Sequence, residues 1–378
     1  MRLAIAVLLV LANGTLGRVG SALAQERADR VRIYTDRTKN PPTVTTRTGT
    51  VVSEDAAKTV FMTGTGQRIE IKNTDIADIL YDGEPDEVGA GRVAENRKAY
   101  EQALTSYTEA LRRVNRDNKL ARANIEFKIA KMHTHLADAG SLEARAKAIE
   151  ALRKFVADHP DARQTIEALD MLSRLLVLDG RPLDEVIRAF QALRSKHSDN
   201  KEITNRCDLF ESQLLLEEGQ MLLKDRRDEA RRKFEQAQTK LKGMLEGADK
   251  ADALRVRIGL AQCKAALGQQ EEAIKEIEAI FAEAGDDPAL RAAVHLGRAD
   301  CYRLNGQYRE AMWDYLWVDV VYNQDREQQA RALYFLHECF ENMKESDPLA
   351  AARAKETRDR LLNDPRLKDT RYQKLAAK

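Results

Sequence analysis

Four short patterns in this sequence hold residues able to do chemistry, and spacing decides each. His133-Thr134-His135 brings two imidazoles close in sequence. Residues two apart on a helix point in different directions, whereas a shared metal ion needs partners three or four apart. His337-Glu338-Cys339-Phe340-Glu341 begins like a zinc-protease helix, but Glu341 stands where the second histidine is required. Gly64-Thr65-Gly66-Gln67 lacks the Gly-Lys-Ser/Thr and the helix that a phosphate loop needs, so it reads as a hairpin turn. The cysteines are Cys207, Cys263, Cys301 and Cys339, and the last three recur every 38 residues. Equivalent positions on stacked helices lie about 9–10 Å apart, too far for a disulfide, which needs Cα atoms within about 7 Å. Buried free thiols are the expectation. The many acidic residues read as solvated faces, often four residues from a basic one, as Glu271 is from Lys275. No Gly-x-Ser-x-Gly occurs. No catalytic set, metal site or cofactor is expected, and the chain reads as non-enzymatic.

The elements behind these residues come in two textures. The chain has 378 residues, 43% hydrophobic and 33% charged, with only 6% aromatic residues and 8 prolines, which favours long helices. Its 62 basic residues nearly balance 61 acidic ones, so no single-sign field exists to hold nucleic acid. Residues 1–24 read as a signal peptide. Arg2 supplies the positive start, residues 3–12 an apolar run, and Ala22-Leu23-Ala24 the small-x-small cleavage pattern. The apolar run is far short of the ~20 residues that span a bilayer. The expectation is an exported protein of the periplasm or cell envelope, with no membrane span after cleavage.

Residues 25–84 form a small β domain by pattern. Runs rich in Val, Ile, Thr and Tyr are separated by Asn40-Pro41-Pro42, Ser53-Glu54-Asp55 and Gly64-Thr65-Gly66, and Arg68-Ile69-Glu70-Ile71-Lys72 alternates. Four or five strands in this length suit a small all-β barrel or roll. The segment GTVVSEDAAKTVFMTGTGQRIEIKNTDIADILYDG resembles the strand order of an Sm-like barrel. A polar stretch with Pro85 and three glycines ends this region, and the period then changes to that of helices. Residues 85–365 read as helices joined by short breaks, and residues 366–378 as a flexible basic tail.

Within the helical region a pattern repeats. Residues 267–281 (LGQQEEAIKEIEAIF) align with residues 305–319 (NGQYREAMWDYLWVD) at a shift of 38, matching Gly268 with Gly306, Ala273 with Ala311 and Ile277 with Tyr315. Ala103, Ala148, Val186, Ala230, Ala273 and Ala311 anchor the same pattern at intervals of 45, 38, 44, 43 and 38 residues. A large residue follows each anchor by four, on the same helix face. These features resemble the tetratricopeptide repeat (TPR), although the intervals exceed that family's period of about 34 residues. The resemblance implies a mostly α chain: a TPR-like α-solenoid of about six or seven helical hairpins. The β domain would cap its amino end, and the helix at residues 349–362 the other.

The resemblance also implies a concave groove lined by the first helix of each hairpin. Its outward positions would include Arg255, Gln262, Asp300, Arg303, Arg331, Tyr334 and Glu338. Trp313 and Trp317, four apart, lie on a different helix side from Tyr308, Tyr315 and Tyr322 and form a second candidate contact ridge. The function expected is a non-catalytic scaffold binding other envelope proteins or peptides, with oligomerisation open. The alternative is binding of an envelope polymer or glycan by the β domain, the helices serving as spacer or oligomerisation module.

Overall fold

The computed structural model describes residues 28–36, 42–179, 181, 183–245, 250–285, 287–368 and 370–377. The predicted signal peptide lies outside the described residues. Five strands come first among the described residues: β1 (Asp29–Asp36), β2 (Thr43–Glu54), β3 (Lys58–Thr63), β4 (Arg68–Lys72) and β5 (Ile76–Leu80). They form one antiparallel sheet in the order β4-β3-β2-β1-β5. The predicted barrel is therefore corrected to an open sheet, since β4 and β5 lie at opposite edges. The physical reason is in the packing. The apolar face carrying Val31, Phe61 and Ile79 is covered by Val88, Ala103 and Tyr107 of the first helices, so it need not close on itself. At Gly49 a Cβ would lie 2.1 Å from the Met62 carbonyl oxygen, so only glycine lets β2 approach β3 this closely.

Among the described residues fifteen helices follow: α1 (Asp86–Asn96), α2 (Tyr100–Arg113), α3 (Lys119–Asp138), α4 (Leu142–Asp158), α5 (Thr165–Asp179), α6 (Asp184–Lys196), α7 (Lys201–Leu222), α8 (Arg227–Met244), α9 (Lys250–Ala266), α10 (Gln270–Glu283), α11 (Pro288–Leu304), α12 (Tyr308–Val320), α13 (Arg326–Asn342), α14 (Ala350–Asn363) and the short α15 (Arg371–Ala376). The first fourteen pair in sequence into seven hairpins, a TPR-like array. Their starts are written in the sequence. Asn118, Ser141, Asn200, Asp287 and Asp325 each accept a backbone N–H of the first turn. Their ends use Gly140, Gly268 and Gly306 at φ of 102°, 97° and 76°, a left-handed turn that glycine adopts without cost.

The repeat anchors are the core. Ala103, Ala148, Val186, Ala230, Ala273 and Ala311 are fully buried, as are their partners four residues on, Tyr107, Leu152, Phe190, Phe234, Ile277 and Tyr315. Each small residue lets the paired helix come close, and each large one fills the space beside it. Burial of one such large side chain contributes about 1.5–3 kcal/mol. All four cysteines are buried and free, and burial pushes the thiols of Cys207, Cys263 and Cys339 up to about 12.

Sheet and array are joined by buried polar contacts. Asp29 fixes the end of the sheet by accepting the backbone N–H of Val51 at 2.6 Å and of Asp82 at 2.7 Å, and the Asn118 amide, at the start of α3, donates to the Asp82 carbonyl at 2.8 Å. Arg92 of α1 pairs with Asp78 at 2.9 Å and Glu84 at 2.7 Å. Arg163, between α4 and α5, pairs with Glu54 at 3.3 Å. At the other end, the segment expected to fray is packed. Leu367 and Tyr372 are buried against α13 and give an otherwise polar segment two apolar anchors. Among the described residues, no helix is long and apolar enough to cross a membrane.

Candidate functional site

The odd-numbered helices α5, α7, α9, α11 and α13 turn their inner faces toward a common cavity of about 590 Å³, and Arg371 and Tyr372 of α15, which lies across these helices, also border it. This is within the volume that small ligands and peptide side chains occupy. Its lining mixes apolar Phe210, Leu216, Ile258 and Leu296 with charges of both signs. Arg206 reaches Asp170 at 3.5 Å, and Arg371 reaches Glu217 at 2.9 Å. Two carboxyls here are perturbed. Desolvation by the surrounding groove raises Asp170 to about 6 against the opposing pull of Arg206, although 46% of its side chain reaches solvent. Burial likewise raises Glu327 to about 7, opposed by the Arg371 backbone N–H and reinforced by Asp325 and Glu217. Such a wall can hold a chain with separated charges of both signs while desolvating its apolar parts.

The residues expected in the groove divide into two groups. Arg255, Gln262 and Arg331 do line the cavity. Asp300 and Arg303 do not face outward. They form the centre of a buried polar cluster, with Asp300 wholly inaccessible to solvent. Asp300 accepts from the Tyr315 hydroxyl at 2.7 Å and the Gln262 amide at 2.8 Å, and pairs with Arg331. Arg303 donates to Tyr315 at 3.2 Å, Glu338 at 3.0 Å and Gln220 at 2.8 Å, and lies 4.1 Å from the Phe335 ring centre. The cluster ties α7, α9, α11, α12 and α13 together. An array whose neighbouring hairpins share side-chain hydrogen bonds across five helices holds a fixed curvature. Tyr334 packs edge-on against Phe335 at 5.3 Å. Asp300 and Arg303 thus hold the wall rather than present to a partner, and Gln262 lines the cavity while its amide donates to Asp300.

Trp313 and Trp317 are on α12, away from the cavity, and remain 60% and 48% exposed. Trp317 stacks on His295 at 5.8 Å, and His295 is held by Asp314 at 2.7 Å. The decoy motifs have ordinary surroundings. His135 stacks on Tyr100 at 4.5 Å, and His337 Nδ1 lies 3.0 Å from the Ala354 carbonyl oxygen. Among the described residues, no group of three or more His, Cys, Asp or Glu could hold a metal ion. Sequence reasoning missed Asp170, Arg206, Glu217, Glu327 and Arg371. The aromatic Tyr372 in a supposedly polar tail was the available signal.

A family model for the tetratricopeptide repeat matches residues 228–294, from α8 into α11. The array is similar in fold to a TPR protein from Parabacteroides merdae, with 15% identity and a TM-score of 0.44 over 72% of this chain and 97% of that one. It is also similar to the apo quorum sensor NprR from B. thuringiensis, with 13% identity and a TM-score of 0.46 over 73% and 75% of the two chains. The Rap conjugation gene regulator of plasmid pLS20, solved with the Phr* peptide, shows 18% identity and a TM-score of 0.40 over 73% of each chain. No curated protein matches the chain. The residues matched by the family model fall in the hairpins of the helical array, and stacked repeats of this kind present extended concave surfaces.

Proposed function

We propose that this TPR-like chain is an exported, non-catalytic scaffold that binds peptides or other envelope proteins in the cavity of its inner helices. The observation that carries the reading is the cavity of about 590 Å³, where apolar side chains alternate with Arg174, Arg206, Arg255, Asp170 and Glu217. Export rests on Arg2, the apolar residues 3–12 and Ala22-Leu23-Ala24. It predicts a mature chain beginning at Gln25, which amino-terminal sequencing of envelope material checks. Glycan binding by the sheet has less support. Of its aromatics, Phe61 and Tyr81 are buried in the core, where they cannot stack on a sugar.

The test of the groove uses a displayed random-peptide library selected on the immobilised full chain. Selected peptides should lose at least tenfold in affinity with Arg206→Glu or Glu217→Arg and be unaffected by Trp313→Ala. Peptides indifferent to both groove substitutions would place the contact elsewhere.

A further inference from the structure

The last helix reaches across the array. Arg371 Nη1 donates to Glu217 of α7 at 2.9 Å, and Lys374 Nζ donates to the Leu178 carbonyl near the end of α5 at 2.7 Å. The backbone N–H of Arg371 donates to Glu327 of α13 at 3.0 Å. These contacts span 154, 196 and 44 residues of sequence. They join the seventh hairpin to the third and fourth, so the groove is closed into a ring on one side. Between the two cations, Tyr372 is 4% exposed, with its ring centre 5.5 Å from that of Tyr334 and 5.9 Å from that of Phe335.

Each contact is of the kind a bound peptide makes with a groove. A cation meets a carboxylate, a second cation meets a helix-terminal carbonyl, a backbone N–H meets an acid, and an aromatic ring is an anchor. The seat is also built to be left. Its helix has six residues. The Tyr372 hydroxyl is buried with no hydrogen-bond partner among the described residues, and leaving a buried polar group unsatisfied weakens the docked state. We infer that Arg371–Ala376 is an intramolecular occupant of the groove, and that the external partner is a peptide of the same basic–aromatic pattern, Arg-Tyr-x-Lys, which displaces it. This deepens the groove reading proposed above and rests on it. The tether gives the internal segment a high effective concentration, so a free peptide of equal intrinsic affinity binds the native chain poorly.

The experiment uses the full chain and a fluorescent synthetic peptide spanning residues 365–378, read by anisotropy. The chain carrying Arg371→Ala and Tyr372→Ala should bind the peptide at least tenfold more tightly than the native chain. A peptide carrying the same two substitutions should not bind. A charge exchange guards against misfolded variants: Glu217→Arg should abolish binding of the native peptide, and Arg371→Glu in the peptide should restore it. Equal binding by native and substituted chains, binding by neither, or failure of the exchange to rescue would overturn the inference. Concentration-dependent dimers of the native chain, dissociated by the peptide, would overturn it in favour of a second copy as occupant. Library-selected peptides that require Arg206 but bind native and substituted chains alike would sink the self-occupancy and leave the groove standing. Peptides indifferent to Arg206 would sink the groove itself.

Discussion

Asp300→Ala should be among the most destabilising single changes available in this chain. It removes one carboxylate and leaves three donors without an acceptor: the Tyr315 hydroxyl, the Gln262 amide and the Arg331 guanidinium. Asp300 is 0% exposed and Arg331 is 16% exposed at the side chain, so water does not readily replace the lost partner. Breaking a buried pair in this way costs about 3–5 kcal/mol, mostly from the stranded charge. Asp300→Asn keeps an acceptor for Tyr315 or Gln262 but loses the charge, so the loss should be smaller, about 2 kcal/mol. The double change Asp300→Leu with Arg331→Met removes both charges and should recover part of the loss. Urea unfolding followed by circular dichroism measures all three. A loss under about 1 kcal/mol for Asp300→Ala would refute the view that this cluster holds the array together.

Four further outcomes follow from the same packing. Glu327 carries a carboxyl raised from 4.5 to about 7. The folded chain therefore binds its proton more tightly than the unfolded one, and this contribution is complete below pH 4.5 and lost as pH rises through 7. The loss amounts to about 3 kcal/mol, and urea midpoints at pH 5 and pH 8 should show it, whereas Glu327→Gln should abolish the difference. Gly297→Ala places a Cβ 2.7 Å from Cγ2 of Ile258 where α11 meets α9, and should cost about 1–3 kcal/mol in the same assay. The thiols of Cys207, Cys263, Cys301 and Cys339 should resist a thiol reagent in the native chain and all react in urea, since each is fully buried. Trp313→Ala, at a residue 60% exposed, should change stability by less than about 0.5 kcal/mol.

The hairpins were legible because one side-chain pattern, small then large four residues later, is both the repeat signal and the packing contact. Ala273 with Ile277 and Ala311 with Tyr315 show it in sequence and are fully buried in the fold. The strands were legible from alternation, but closure was not. Whether a sheet rolls up depends on what covers its apolar face, and here Tyr107 and its neighbours do so. Asp300 and Arg303 were misplaced because a repeat register says which face of a helix is inner but not how tightly adjacent inner faces meet. That depends on small rotations summed over seven hairpins. The same sum brings Arg371 to Glu217 and Lys374 to Leu178. Composition alone read residues 366–378 as a loose tail, because two anchors, Leu367 and Tyr372, are a small signal among many charges.

Amide hydrogen exchange of the full chain with and without a selected peptide tests the binding surface most directly. New protection should concentrate in α5, α7 and α9, with faster exchange in α15 as that helix is displaced. Protection confined to the sheet or to α12, with the inner helices and α15 unchanged, would contradict it.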